Sequence, residues 1–144
     1  MNDISVKSLN TVNELQKLIS VFTLAFESEY KVSDLYLEKI LESTTTLVLG
    51  AIDNDEIVGG LVAMELLPIH GSKEFYIYDI AVHPEHQQKG IGKKLIEHLK
   101  MEAKNRGIET IFVEAESEDT GAVEFYKKIG GEEVAVNHFN FNIV

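Results

Sequence analysis

Apolar positions change period several times along the 144-residue chain, and each period predicts an element. "ISVKSL" alternates like a first strand. Thr11 and Glu14 then have capping-box spacing, and Leu15, Leu18, Ile19, Phe22 and Phe26 form a helical stripe. Ser33 is placed to cap a second helix carrying Leu35, Leu37, Ile40 and Leu41. "TLVLGAI" and "IVGGLVAMELL" are strand-type runs joined by "DNDE", which predicts a hairpin, with a bulge at Gly59 and Gly60. "EFYIYDIAV" is the most strand-like segment, and Pro84 helps to end it. Ile91, Leu95, Ile96, Leu99 and Ala103 mark a helix face that Gly107 closes. "IETIFVEA" reads as a strand. Ala122, Phe125, Tyr126 and Ile129 read as a shorter helix stopped by Gly130 and Gly131, and "EEVAVNHFNFNI" as one or two closing strands. The order β-α-α-β-β-β-α-β-α-β(-β) predicts an α/β (α+β) fold. Its mixed sheet carries helices on both faces, in a single domain over residues 1–144.

Composition narrows the function classes. Hydrophobic residues make up 44% of the chain, enough for an ordinary core. No apolar run approaches the roughly 20 residues of a membrane span. The N-terminus lacks the basic-then-apolar pattern of a signal peptide, so the expected location is cytoplasmic, away from the membrane. Cysteine is absent, which removes thiolate metal sites and an acyl-cysteine intermediate. A net charge of -11 argues against nucleic acid as a partner and favours cations. The charge is uneven. Lys89, Lys93, Lys94, Lys100, Lys104 and Arg106 fall together, whereas Glu109 to Glu124 carries only acids. His83 and His86 lack the spacing of a zinc motif, so no metal is expected.

The stretch "EHQQKGIGKKL" sets two glycines and three lysines between a strand and a helix. The first N–H groups of a helix have no internal partner and lie at its positive end. Glycines there let an anion approach the backbone. A phosphate on the amides of residues 88 to 93 explains the composition. A turn glycine beside a solvated lysine face explains it as well, and spacing alone leaves both readings open. A Walker loop needs four residues between its glycines, and a dinucleotide fingerprint needs a third glycine where Leu95 stands.

"VHPEHQQKGIGKKLIEHL" resembles the acyl-CoA-binding signature of the GNAT N-acetyltransferase superfamily, through Gln87, Gly90 and Gly92, with glutamine where the pattern usually carries arginine. "GAVEFYKKIG" resembles that superfamily's second signature. Together with "FYIYDIAV" and "EEVAVNHF", the second half of the chain is most similar to the small aminoglycoside 3-N-acetyltransferases. The resemblance implies a GNAT fold, with a six- to seven-stranded sheet splayed between its fourth and fifth strands and about four helices. It implies acetyl-CoA as co-substrate, held along Ile80, Ala81 and Val82 and around Gln87, Gln88, Lys89, Gly90, Ile91, Gly92 and Lys93. It implies Tyr126 as the acid that protonates the leaving thiolate, and a homodimer paired through late strands.

An attacking amine must first lose a proton, which calls for a carboxylate or a water relay. Asp79 is one candidate; simple alternation puts it on one strand face with Phe75, Ile77 and Ala81. Glu114 and Glu116 are the others, expected on one face at the end of "IETIFVEAE", opposite Ile111, Val113 and Ala115. The expected activity is direct acetyl transfer, in a ternary complex, to a small cationic amine, with the 3-amine of an aminoglycoside favoured. Polyamines and peptide or protein amines are alternative acceptors. A non-catalytic acyl-CoA-binding module and a nucleotide-binding regulatory domain are the alternatives of another class.

Overall fold

The computed structural model describes residues 3–143. They divide after Glu114 into two compact units.

The first unit is built on one five-stranded sheet of β1 (Ser5–Ser8), β2 (Thr46–Asp53), β3 (Glu56–Leu66), β4 (Glu74–Val82) and β5 (Thr110–Val113), ordered as numbered. Pairing is antiparallel up to β4 and parallel between β4 and β5. Asn54 and Asp55, both at positive φ, make the tight β2–β3 turn that "DNDE" predicts. The register slips there between Ala51 and Ile52, so that Val58, beside Gly59, is the bulged residue.

Helices α1 (Val12–Phe26) and α2 (Asp34–Glu42) lie on one face and α3 (Ile91–Arg106) on the other. Two adjacent glycines show this. A Cβ on Gly59 would meet Ile91 of α3 at 3.3 Å, and one on Gly60 would meet Leu18 of α1 at 2.2 Å. Successive strand residues point to opposite faces, so the helices do too. Thr11 caps α1 by accepting from the Glu14 N–H, and the Glu14 carboxylate accepts from the Asn10 N–H and pairs with Lys7. That pairing holds the Glu14 carboxyl below its ordinary value. Leu15, Leu18, Val21 and Phe22 are buried with Leu37 of α2 and with Val48 and Ala81 of the sheet. Phe26 and Leu35, expected on the apolar stripes, are exposed. On the far face Leu95 and Leu99 of α3 are fully buried, as are Phe75 of β4 and Leu61 of β3. Arg106 ties the end of α3 to β3 through Glu65 at 3.1 Å and lies over the Phe75 ring. Gly107, at φ +70, closes the helix.

The second unit contains α4 (Thr120–Lys128), capped by Asp119, which accepts from the Ala122 N–H. Gly130, at φ +100, ends it. The one or two strands expected from "EEVAVNHFNFNI" do not form: residues 131–143 enter no ladder with any described strand. The sheet therefore has five strands among the described residues rather than six or seven. A strand needs a partner edge as well as an alternating sequence. Among the described residues no helix is long and apolar enough to cross a membrane.

Gly60→Ala should destabilise the chain by about 1–3 kcal/mol in urea titrations. The added methyl meets Leu18 and also the Leu49 carbonyl oxygen at 2.9 Å, and a backbone oxygen in mid-sheet cannot step aside. Unaltered stability would show that the α1 contact is loose.

Candidate active site

Two features of the first unit are built around the C-terminal end of β4. The first is the loop into α3. His83 N–H donates to the Val58 carbonyl, extending the β3–β4 pairing by one bond. A 3-10 turn follows over Pro84–His86, with His86 N–H donating to His83 O at 2.8 Å. The next backbone bond in the chain is Lys94 N–H to Gly90 O at 3.1 Å. Between them, among the described residues, the N–H groups of Gln87 through Lys93 donate to no protein acceptor. Gln88 and Gly90 both have positive φ, which folds the loop back over the start of α3. Gln87, Gln88, Lys89, Gly90 and Lys93 are exposed, while Ile91 is buried and anchors the helix start. The side chain of Gln87 turns back and donates to the Val82 carbonyl at 3.2 Å.

The second feature is the splay. The β4–β5 ladder runs from Glu74–Thr110 to Ile77–Val113 and stops, whereas β4 continues to Val82. Residues on a strand alternate in the neighbour their N–H and C=O groups face. His83 bonds to β3, so Ala81 faces β3, and Ile80 and Val82 face the open side.

A bulge changes which side chains share a face. Val62 pairs with Asp79 and Ala63 with Ile77, leaving Tyr78 unpaired. The alternation restarts after Tyr78, and this corrects the expected placement of Asp79. Phe75 and Ile77 face α3, whereas Asp79 shares the α1–α2 face with Val62, Ala81 and Tyr76. In a parallel ladder paired residues share a face, and the Tyr76 and Phe112 rings accordingly stack at 4.9 Å and 15°. Glu114 follows β5 on that face and accepts a hydrogen bond from the Tyr76 hydroxyl at 2.9 Å. It sits one residue beyond the strand, not inside it as expected.

Burial is the main cause that pushes the Tyr76 phenol up to about 12, with Glu114 adding to it, so the group is a donor across the physiological range. Burial also raises Asp79 above the usual carboxylate range. Tyr78, edge-on to Tyr76, is exposed. Sequence reasoning passed over Tyr76 and Phe112. The signal available was "YIYD", with aromatics two apart before the acid.

Glu116 and Tyr126 belong to the second unit. Glu116 lies outside any strand, so the strand face expected for Glu114 and Glu116, opposite Ala115, does not exist; its carbonyl accepts from Asp119 N–H. Tyr126 is half-buried on α4 beside Phe125, and burial first, then the Asp119 charge, raises its phenol above the ordinary value.

Comparison with known proteins gives a consistent picture. The family described as Acetyltransferase (GNAT) family matches residues 13–131. An aminoglycoside acetyltransferase from an uncultured soil metagenomic sample, crystallised with sisomicin, is 30% identical at a TM-score of 0.93, covering 98% of this chain and 97% of that one. A second such enzyme, also from an uncultured soil sample, is 36% identical at a TM-score of 0.88, covering 99% of both chains. The ribosomal protein bS18-alanine N-acetyltransferase of Escherichia coli (strain K12) is 33% identical over 63 residues, 44% of this chain; the matched stretch spans 43% of that relative's length.

Asp79 yields a direct test. Its folded pKa lies above its unfolded one, so the folded chain binds this proton more tightly. The stability this contributes is full below the unfolded pKa and is lost as pH rises through the folded value. Asp79→Asn cannot ionise and should lose that dependence. Urea midpoints of wild type and variant should differ more at pH ~7 than at pH ~3, with the variant gaining relative to wild type as pH rises. A difference that does not change with pH would show that Asp79 is not desolvated.

Proposed function

The chain belongs to the GNAT acetyltransferase family, and we propose that, acting as one domain, it is an acetyl-CoA-dependent N-acetyltransferase whose acceptor is the 3-amine of an aminoglycoside. The observation that carries this reading is an opposition across the sheet. A run of unpartnered N–H groups lies at the start of α3 on one face, and Asp79 and Glu114 lie on the other, with the open end of the β4–β5 ladder between them.

In this reading the loop amides hold the diphosphate of the coenzyme, with Lys89 and Lys93 adding positive charge. The backbone of Ile80 and Val82, on either side of Ala81, takes the pantetheine arm as an added strand. Glu114, held by Tyr76, attracts the ammonium of the acceptor, and Glu116 adds to the negative field. Asp79, with its raised pKa, takes a proton from the ammonium. The free amine attacks the thioester carbonyl, the Val82 N–H stabilises the oxyanion, and a tetrahedral intermediate forms. The carbon–sulfur bond then breaks, the sulfur leaves with the proton of Tyr126, and the second proton of the attacking nitrogen passes through solvent to the tyrosinate, so that the products are an N-acetylated amine and CoA, with the first proton released from Asp79 to solvent.

The sugar acceptor is supported by two solved relatives at 30% identity or more that are named aminoglycoside acetyltransferases. It is also supported by the charge of -11, which favours a polycation. The bS18-alanine relatives make an N-terminal alanine peptide the competing acceptor. Thiol release from acetyl-CoA, measured with sisomicin, spermidine and an alanine-ended peptide, separates the acceptors, and NMR of the product reads the acetylated position. Turnover of the peptide alone would overturn the sugar reading. Calorimetry in which ATP or NAD bound and acetyl-CoA did not would overturn the transferase reading.

Tyr126→Phe should lower kcat by about a hundredfold or more while leaving the acetyl-CoA Kd unchanged. Unchanged kcat would remove Tyr126 from the chemistry.

We further propose that the chain is a homodimer in which residues 131–143 pair with a second copy. Val134, Val136, Phe139, Phe141 and Ile143 are all exposed, at 69% or more, and β5 is an edge strand of the sheet. Light scattering should give a dimer for wild type and a monomer for a Phe139→Glu/Phe141→Glu variant. A monomeric wild type would reject the pairing.

A further inference from the structure

Asp53 is the one charged side chain buried among the described residues, with 5% exposure. It ends β2, at the start of the β2–β3 turn. A desolvated carboxylate is costly and has to be held by donors or by positive charge. Facing it at 3.7 Å is Nδ1 of His86, the last residue of the 3-10 turn. That nitrogen is itself buried and forms no hydrogen bond. Two buried polar atoms face each other where the β2–β3 hairpin meets the loop into α3.

The place matters more than the pair. His86 immediately precedes Gln87, where the run of unpartnered N–H groups begins. The loop is tied to the sheet from the β4 side by His83 N–H on Val58 O. His83 Nδ1 is used within the turn, accepting from the Glu85 N–H, and its ring packs edge-on against His86 at 5.5 Å. On the α3 side the loop is tied by buried Ile91. Between those ties, among the described residues, His86 is the loop side chain that reaches a group of the β2–β3 turn. Gln87 reaches only the Val82 carbonyl.

We propose that Asp53 and His86 form a tether that positions the loop amides for the coenzyme diphosphate, so that both are positioning residues for acetyl-CoA although neither touches the reacting atoms. At 3.7 Å the two polar atoms lie just beyond hydrogen-bond distance, and the contact is an ion pair only when the imidazole is protonated. Burial of the carboxylate keeps it from being screened as a surface pair would be. Its effect is on geometry: anion binding by successive amides needs their N–H vectors to converge, and the tether fixes the start of the run. The proposal rests on the acetyl-CoA reading above.

The test is steady-state kinetics and calorimetry on the full chain with acetyl-CoA, for wild type, His86→Ala, His86→Gln and Asp53→Asn. His86→Ala should raise the acetyl-CoA KM and Kd about tenfold with kcat and the acceptor KM within about twofold of wild type. His86→Gln, which keeps a side-chain donor, should recover part of the loss. Asp53→Asn should raise the same KM, and the double variant Asp53→Asn/His86→Ala should be no worse than the poorer single one. Thermal melting of each variant confirms that it is folded, and the His86 variants stand on their own if Asp53→Asn unfolds. A folded His86→Ala that binds acetyl-CoA as wild type does would overturn the tether alone. Wild type that binds no acetyl-CoA would overturn the tether and the acetyl-CoA reading together.

Discussion

The parallel ladder between β4 and β5 ends early, and the chemistry open to this chain follows from that. Pairing stops at Ile77–Val113, while β4 runs on to Val82. Ile80 and Val82 are left with backbone groups directed at the gap. Open polar backbone within a sheet is costly unless something pairs with it. Gln87 takes one such carbonyl. An extended molecule carrying amides suits the rest, which is why a gap of this kind selects a ligand shaped like a strand.

The bulge at Tyr78 decides what borders the gap. Without it Asp79 would point with Phe75 and Ile77 toward α3, into a face packed by buried leucines. With it, Asp79 comes to the side of Tyr76, Phe112 and Glu114. One extra residue in β4 thus separates a run of open amides from a pair of carboxylates. The unpartnered amides lie at the helix start on the α3 face, and Asp79 and Glu114 collect on the other. A chain of net charge -11 can still hold an anion, because amide dipoles at a helix start act at contact while distant carboxylates are screened within a Debye length of about 8–10 Å.

Much of this was legible in the sequence, for physical reasons that differ by element. The helix stripes, the Thr11 and Ser33 caps and the "DNDE" turn are local, and local chemistry is sufficient for them. The glycine-containing entry to α3 was legible because the first amides of a helix have no internal partner and a positive φ favours glycine. The face of Asp79 was not, because a bulge is set by register against β3 and leaves no mark in the spacing of β4 itself. The closing strands were overread: Val134, Val136, Phe139, Phe141 and Ile143 have strand chemistry, but a ladder needs a second edge. Tyr76 was missed because its role depends on a residue 38 positions away. Asp53 and His86 lie 33 positions apart, each unremarkable until the hairpin and the loop meet.

The environments of Asp79 and Glu114 differ in a way that divides labour between them. Asp79 is partly buried, bordered by Val62 and Ala81, and its proton is held more tightly than in water. Glu114 is exposed, and one of its oxygens is already engaged by the Tyr76 hydroxyl. A carboxylate with one oxygen pinned and the other turned to solvent is suited to meeting a cation and fixing its direction. A carboxyl whose affinity for a proton has been raised by burial is better suited to receiving one than a fully solvated carboxylate. Burial and Glu114 keep the Tyr76 hydroxyl protonated through the physiological range, so the pin on Glu114 holds whatever the protonation of Asp79, as the proposed use of the two carboxylates in sequence on one ammonium requires.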